Sequence, residues 1–335
     1  MSSAPSPQEI ARDARWLAQA LDPAAGLVRL IAMDRDSYRA ASFLDDRMLQ
    51  QPVDAQIVPW PDVEAAASGE MRSDARWIFH IGHVGSTLVS RLLGEISGVL
   101  GIREPRLLRD LAMSPPAVRE RYIAVTPSLM SRAFADDEVA CVKATSWVSE
   151  IASELVPPGE RALFMFATPR NYIASILAGE NSVKELRMLA VTRVQRLSAR
   201  VSAIGPAHSD AELAGVAWAC EMTALETASD AMTDRHILWA DFDRMLGDMP
   251  AALRSAADHF GFAADDSELN EIASGPLMSR YSKGLEYQYS PELRRELIEE
   301  QERLQGPHIE SALAMLRSAA EKSPQLARAL SRAEG

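Results

Sequence analysis

Cysteine is nearly absent: Cys141 and Cys220 are the only two in 335 residues. Two isolated thiols without CxxC spacing exclude a disulfide framework and a cysteine zinc site, and they read as small buried hydrophobes in a reducing compartment. Aromatic residues amount to 6% of the chain, and no apolar run approaches membrane-spanning length. The N-terminal stretch MSSAPSPQEIARDAR lacks the apolar core of a signal peptide, so a soluble, cytoplasmic protein is expected. Basic residues are in deficit, 35 Lys and Arg against 47 Asp and Glu, for a formal net charge of −12. That balance argues against a general nucleic-acid or anionic-membrane binder. Any anionic ligand needs a local basic pocket. Internal repeats and low-complexity tracts are also missing.

What remains is the pattern of a soluble globular chain, long enough for one large α/β domain with additions. Residues from about 7 to 70 read as helical and irregular, with Leu17, Leu21, Leu27, Leu30 and Ile31 as packing positions and breaks at Pro52, Pro59 and Pro61. From residue 76 the pattern changes. Trp77–Ile81 is a strand-length apolar run stopped by Gly82, and Leu88, Val89, Leu92, Leu93 and Ile96 follow at helical spacing. Further short strands are expected at Val99–Ile102, Val139–Val142, Ala162–Ala167 and Ile237–Trp239, the last after an amphipathic stretch from Ala214 to Met232. Strands alternating with helices predict βαβ units in a mostly parallel five-stranded sheet. Ligands of such sheets bind at the carboxyl ends of the strands. The segments to watch are therefore His80–Thr87, Arg103–Glu104, Lys143–Ser146, Thr168–Ser175 and Asp241.

The first segment, Gly82-His83-Val84-Gly85-Ser86-Thr87, has phosphate-loop logic. Its glycines let backbone approach an anion, and free amides at the start of the following helix point toward it. Ser86 and Thr87 add hydroxyl donors. The loop is similar to a Walker A loop but lacks the lysine of the Gly-Lys-[Ser/Thr] ending. That lysine and Mg²⁺ stabilise γ-phosphoryl transfer together, so its absence directs attention to a transfer that needs no metal.

A strand followed by Gly-Ser-Thr-Leu resembles the 5′-phosphosulfate loop of the sulfotransferases, which use 3′-phosphoadenosine 5′-phosphosulfate (PAPS). The resemblance implies a three-layer α/β, P-loop NTPase-like fold. Matching on Gly85 places Ser86 and Thr87 on the family's hydroxyl positions and His83 where it carries a catalytic Lys or Arg. A histidine is only partly cationic near neutral pH. Ile102-Arg103-Glu104-Pro105 resembles the strand end where tyrosylprotein sulfotransferases carry a glutamate base, which implies Glu104 as general base. An ion-pair network with Arg103, Arg106 or Arg109 is the structural alternative. Lys143 matches the lysine of a Lys-Thr-His segment, but Thr145 stands where cytosolic members have a basic histidine. The resemblance thus makes Lys143 a source of positive charge at the sulfuryl group.

Phe166–Ser175 resembles the 3′-phosphate motif, an arginine at the strand end with a serine eight residues on. Ser175 matches the serine. Ala167 occupies the arginine position, which leaves Arg170 as the nearest substitute. Trp239–Leu246 followed by His259-Phe260-Gly261-Phe262 is similar to the segment after the family's last core strand. Ser279–Gly284 loosely resembles the basic loop over the 3′-phosphate, with Arg280 and Lys283 as candidates, while Tyr281, Tyr287 and Tyr289 read as packing or acceptor-site wall.

The expectation is thus a helical or irregular N-terminal appendage over 1–75, a sulfotransferase-like nucleotide-binding core over 76–290 and a helical tail over 291–335. The resemblance implies sulfuryl transfer from PAPS to a hydroxyl of a small molecule or peptide, with no metal. A P-loop kinase using ATP and Mg²⁺, and a noncatalytic nucleotide-binding relative, are the alternatives. Acceptor identity and oligomeric state are open.

Overall fold

The computed structural model describes residues 4–67, 71–202, 204–279 and 290–335. The N-terminal region departs from expectation. It carries a three-stranded antiparallel sheet, β1 (Trp16–Asp22), β2 (Leu27–Ala32) and β3 (Ala55–Pro59), where helix was expected. A local device explains the hairpin. Asp22 accepts the Ala24 and Ala25 amides through Oδ1 at 3.0 Å, and Gly26 takes φ +65° to let the chain reverse. An alanine-rich β1 has little strand propensity of its own, and the pairing of Leu17 with Ile31 and Leu21 with Val28 fixes it in place. Leu17, Leu21, Leu30 and Ile31 are buried as expected, whereas Leu27 is exposed at the start of the central strand.

The second sheet is wholly parallel. Its strands are β4 (Arg76–His80), β5 (Val99–Arg103), β6 (Val139–Lys143), β7 (Arg161–Phe166) and β8 (His236–Asp241), in the order β5-β6-β4-β7-β8. The chain leaves β4 toward β5 on one side and leaves β7 toward β8 on the other. Neighbouring strands whose connections diverge open a crevice beyond their carboxyl ends. The loop after β4 lies in that crevice. The topology is that of the α/β, P-loop-like class.

The helices that bear on the site are α1 (Ser86–Leu93), α2 (Arg106–Met113), α3 (Pro169–Leu177), α4 (Glu180–Ser198), α5 (Asp210–Ala231), α6 (Phe242–Gly247), α7 (Met249–Phe260), α8 (Pro291–Ala320) and α9 (Pro324–Glu334). Most of α5 is buried, and its Trp218 indole donates to the Ala167 carbonyl at 3.0 Å. That bond ties α5 to the end of β7. Apolar side chains, mostly alanine, on all sides of a helix fit a position inside the protein. Cys141 and Cys220 are buried, and desolvation pushes both thiols up to about 12. The N-terminal sheet is joined to the core by the Leu21 amide, which donates to Asp110 Oδ2 on α2 at 3.0 Å, and by the Leu44 amide, which donates to the Arg103 carbonyl at 2.7 Å. No helix among the described residues is long and apolar enough to cross a membrane.

Candidate active site

The loop after β4 is held open by backbone geometry. His80 Nδ1 accepts the Gly82 amide at 3.0 Å, and Gly82, His83 and Gly85 all take positive φ, +80°, +55° and +58°. Helix α1 then begins with Ser86 and Thr87, both buried, and its cap residue Gly85 has no side chain to satisfy the first amides. Unsatisfied amides at a helix start favour an anion. Val84 turns into the core, so only its backbone is available to the loop.

Beside the loop, Lys143 at the end of β6 is fully buried. Its ammonium donates to Thr87 Oγ1 at 3.0 Å and to Glu104 Oε1. Arg47 donates to Glu104 Oε2 at 3.0 Å and is itself clamped by Asp45. The ring of Phe43 lies under the Arg47 guanidinium, 3.3 Å from ring centroid to Cζ. Glu104 has φ +55°; with His83 it is one of two non-glycine residues at positive φ among the described residues. Such strain costs about 1–3 kcal/mol and persists where surrounding structure enforces it. Both strained residues line one cavity. The partners of Glu104 thus include Lys143 and Arg47, whereas Arg103 turns away to donate to the Ala41 carbonyl at 2.8 Å.

The cavity measures about 1830 Å³. Gly82, His83, Ser86, Thr87, Glu104, Thr145 and Ser175 line it. His83 meets Tyr172 edge-on, ring centroids 6.2 Å apart. Arg170 does not enter the cavity: it forms ion pairs with Glu310 and Glu302 on α8. The reason is helical phase, because residues five apart stand about 140° round a helix from one another, so α3 presents Ser175 inward and Arg170 outward.

A different arginine meets Ser175. Arg294 of α8 donates through Nη1 to Ser175 Oγ at 3.2 Å and through Nε to Asp243 at 2.8 Å, with its guanidinium 5.1 Å from the Phe242 ring centroid. Its Nη2 is buried without a hydrogen-bond partner among the described residues. Arg294 lies 119 residues beyond Ser175, so no local motif could have marked it. Arg47 and Arg193 also line the cavity without any sequence signal. Arg280 and Lys283 lie outside the described residues.

Sequence comparison finds no family model and no curated protein that matches the chain. Among solved structures the chain is similar to the sulfotransferase domain from the curacin biosynthetic pathway, at 10% identity over 69% of this chain and 91% of that one, with a TM-score of 0.41. It is also similar to the sulfotransferase domain from the Synechococcus PCC 7002 olefin synthase, at 13% identity over 70% and 96% of the two chains and a TM-score of 0.37. A third is mouse sulfotransferase SULT7A1 complexed with PAP, at 10% identity over 78% and 90% and a TM-score of 0.36.

Proposed function

We propose that this chain transfers a sulfuryl group from PAPS to a hydroxyl acceptor. The observation that carries the reading is the relay Thr87–Lys143–Glu104, in which one buried ammonium joins a loop hydroxyl to a carboxylate facing the same cavity. The loop amides with Ser86 and Thr87 would hold the 5′-phosphosulfate. Ser175 and Arg294 would hold the 3′-phosphate, and Arg294 Nη2, which has no hydrogen-bond partner among the described residues, is a donor suited to that anion.

Chemistry would run in line. The acceptor hydroxyl attacks sulfur and gives its proton to Glu104, the new S–O bond forms, and the S–O bond to the 5′-phosphate breaks. The products are a sulfate ester and 3′,5′-adenosine bisphosphate (PAP). A carboxylate has about four lone-pair positions, so Glu104 can accept that proton while Lys143 and Arg47 hold it in place. Lys143, bonded to Thr87, would offset charge developing at the sulfuryl and leaving phosphate groups. His83 would add a donor to the bridging oxygen when protonated.

Calorimetry with PAP tests the nucleotide site. Saturable binding is expected in the parent and a loss of at least tenfold in Ser86→Ala/Thr87→Ala; no binding, or no change in the double variant, would sink the reading. Mg²⁺-dependent ATP binding would favour a kinase instead. PAP binding without transfer to any hydroxyl acceptor would leave a binding module.

A further inference from the structure

A second charged cluster reaches the cavity through Arg193 and Glu221. Arg193 and Arg196 of α4, with Arg200 just past its end, recur at positions i, i+3 and i+7 and so share one face. They meet Glu221 of α5 and Glu150. Glu221 is bound through both oxygens by Arg196, at 2.8 and 3.1 Å, and Glu150 accepts from Arg196 at 2.7 Å and Arg200 at 2.8 Å. Arg200 is completed by Thr223 Oγ1 and the Cys220 carbonyl. Arg193 is not completed. Its side chain is 7% exposed, it approaches Glu221 no closer than 3.8 Å, and it makes no hydrogen bond among the described residues.

The cluster therefore holds three guanidinium groups against two carboxylates, with Arg193 and Glu221 its buried members. Glu185 lines the same cavity from two turns earlier on α4, but it is exposed and forms no ion pair with Arg193. A buried guanidinium whose carboxylate is already held by another arginine is under-compensated, and its unused donors suit an anionic ligand. Arg193 lines the cavity that also contains Glu104 and the loop, and Trp147, Leu189 and the hydroxyls of Ser182 and Thr192 border it there. Both anionic ends of the nucleotide already have places in the proposed function, at the loop and at Ser175–Arg294. The other arginines lining the cavity, Arg29, Arg47, Arg106 and Arg109, are paired with Asp45, Asp46, Glu104 or Asp110, which leaves Arg193 with donors for a further anion.

Resting on that function, we infer that Arg193 anchors the acceptor, and that the acceptor is a hydroxyl-bearing organic anion. Its carboxylate or phosphate pairs with the Arg193 guanidinium while its hydroxyl is presented to Glu104. The apolar flank of Trp147 and Leu189 takes the carbon body between them.

The test uses the full chain saturated with PAP, titrated with hydroxy-carboxylates of increasing length, each against its own methyl ester. 3-(4-Hydroxyphenyl)propionate and 12-hydroxydodecanoate are two such probes. At least one acid should bind tenfold or more tightly than its ester. Arg193→Gln should abolish that difference, and Arg193→Lys should keep part of it. Because Arg193→Gln removes a surplus buried charge, the ligand-free variant should melt no lower than the parent. Equal binding of acids and esters across the series would overturn the inference. So would an unchanged ratio in Arg193→Gln together with a lower melting temperature, which marks an ion-pair brace. A reduced preference for PAPS over PAP in Arg193→Gln would assign the cation to the donor and overturn it too. If PAP itself does not bind the parent, the nucleotide reading falls separately, and the acid-to-ester ratio on the free protein still decides what Arg193 does.

Discussion

Gly85 and Phe242 are packed so closely that a Cβ on residue 85 would lie 1.9 Å from Cζ of the Phe242 ring. The phosphate loop and the helix after the last core strand are thus fitted to each other at a point where only glycine is accommodated. With φ at +58° as well, Gly85→Ala meets both a steric and a backbone penalty. Overpacking of this kind costs about 1–3 kcal/mol. Phe242→Ala should cost about 3–5 kcal/mol through the cavity it leaves. Because the alanine Cβ would fit where the ring was removed, the double variant should be less unstable than the sum of the two. Urea denaturation of all four proteins measures this coupling, and strict additivity would contradict it.

Glu104→Gln should lower sulfuryl transfer by about 100-fold or more, the size of a lost general base, while PAP affinity changes only a few-fold. Steady-state kinetics and calorimetry on the same preparation separate the two effects. Stability should respond to the partner as well. Glu104→Ala leaves the ammonium of Lys143 buried beside fewer acceptors, a change worth about 3–5 kcal/mol where one partner of a buried pair is removed. Glu104→Leu/Lys143→Met, which removes both charges, should unfold at a higher urea concentration than Glu104→Ala.

The 3′-phosphate end predicts a contrast between two arginines. Arg294→Gln should weaken PAP about tenfold or more and adenosine 5′-phosphosulfate, which lacks the 3′-phosphate, much less, since a charge-assisted hydrogen bond is worth about 1.5–3 kcal/mol. Arg170→Gln should leave both unchanged. Equal losses for the two nucleotides in Arg294→Gln would place Arg294 in the frame of the protein instead of at the phosphate.

Asp241, at the end of β8, caps α6 by accepting the Asp243 amide at 2.9 Å, yet burial raises its carboxyl above the ordinary 3.8, with the Asp243 charge adding to the effect. The folded state therefore binds the proton more tightly than the unfolded state. Stability attached to this group is present below the unfolded value and is lost as pH rises through the folded value. Asp241→Asn, which can still accept the capping hydrogen bond, should melt above the parent at pH 7. The gap should close as pH falls below the folded value. Melting curves at several pH values read the difference directly, and a gap that widens toward acid would contradict the sign.

Much of the core was legible in the chain. The five parallel strands lie within a residue or two of the apolar runs that announced them, because a buried strand needs short continuous apolar segments and turn residues on either side. The glycine loop was legible for the same local reason. The N-terminal sheet was not. Its strands are alanine-rich or short, and their pairing across residues 16–59 is a tertiary event that overrides weak local preference.

The sequence by itself determined the strand–loop–helix unit at 76–93, the presence of Glu104 and Lys143 at strand ends and that of Ser175 in the helix after β7, because backbone periodicity and glycine placement act over a few residues. Only the tertiary structure decided which cations face the cavity. It turned Arg170 outward to Glu302 and Glu310, brought Arg294 across 119 residues to Ser175, and left Arg193 beside Glu221 without a hydrogen bond among the described residues. Charge partners are chosen by what packs alongside, and no spacing along the chain encodes that.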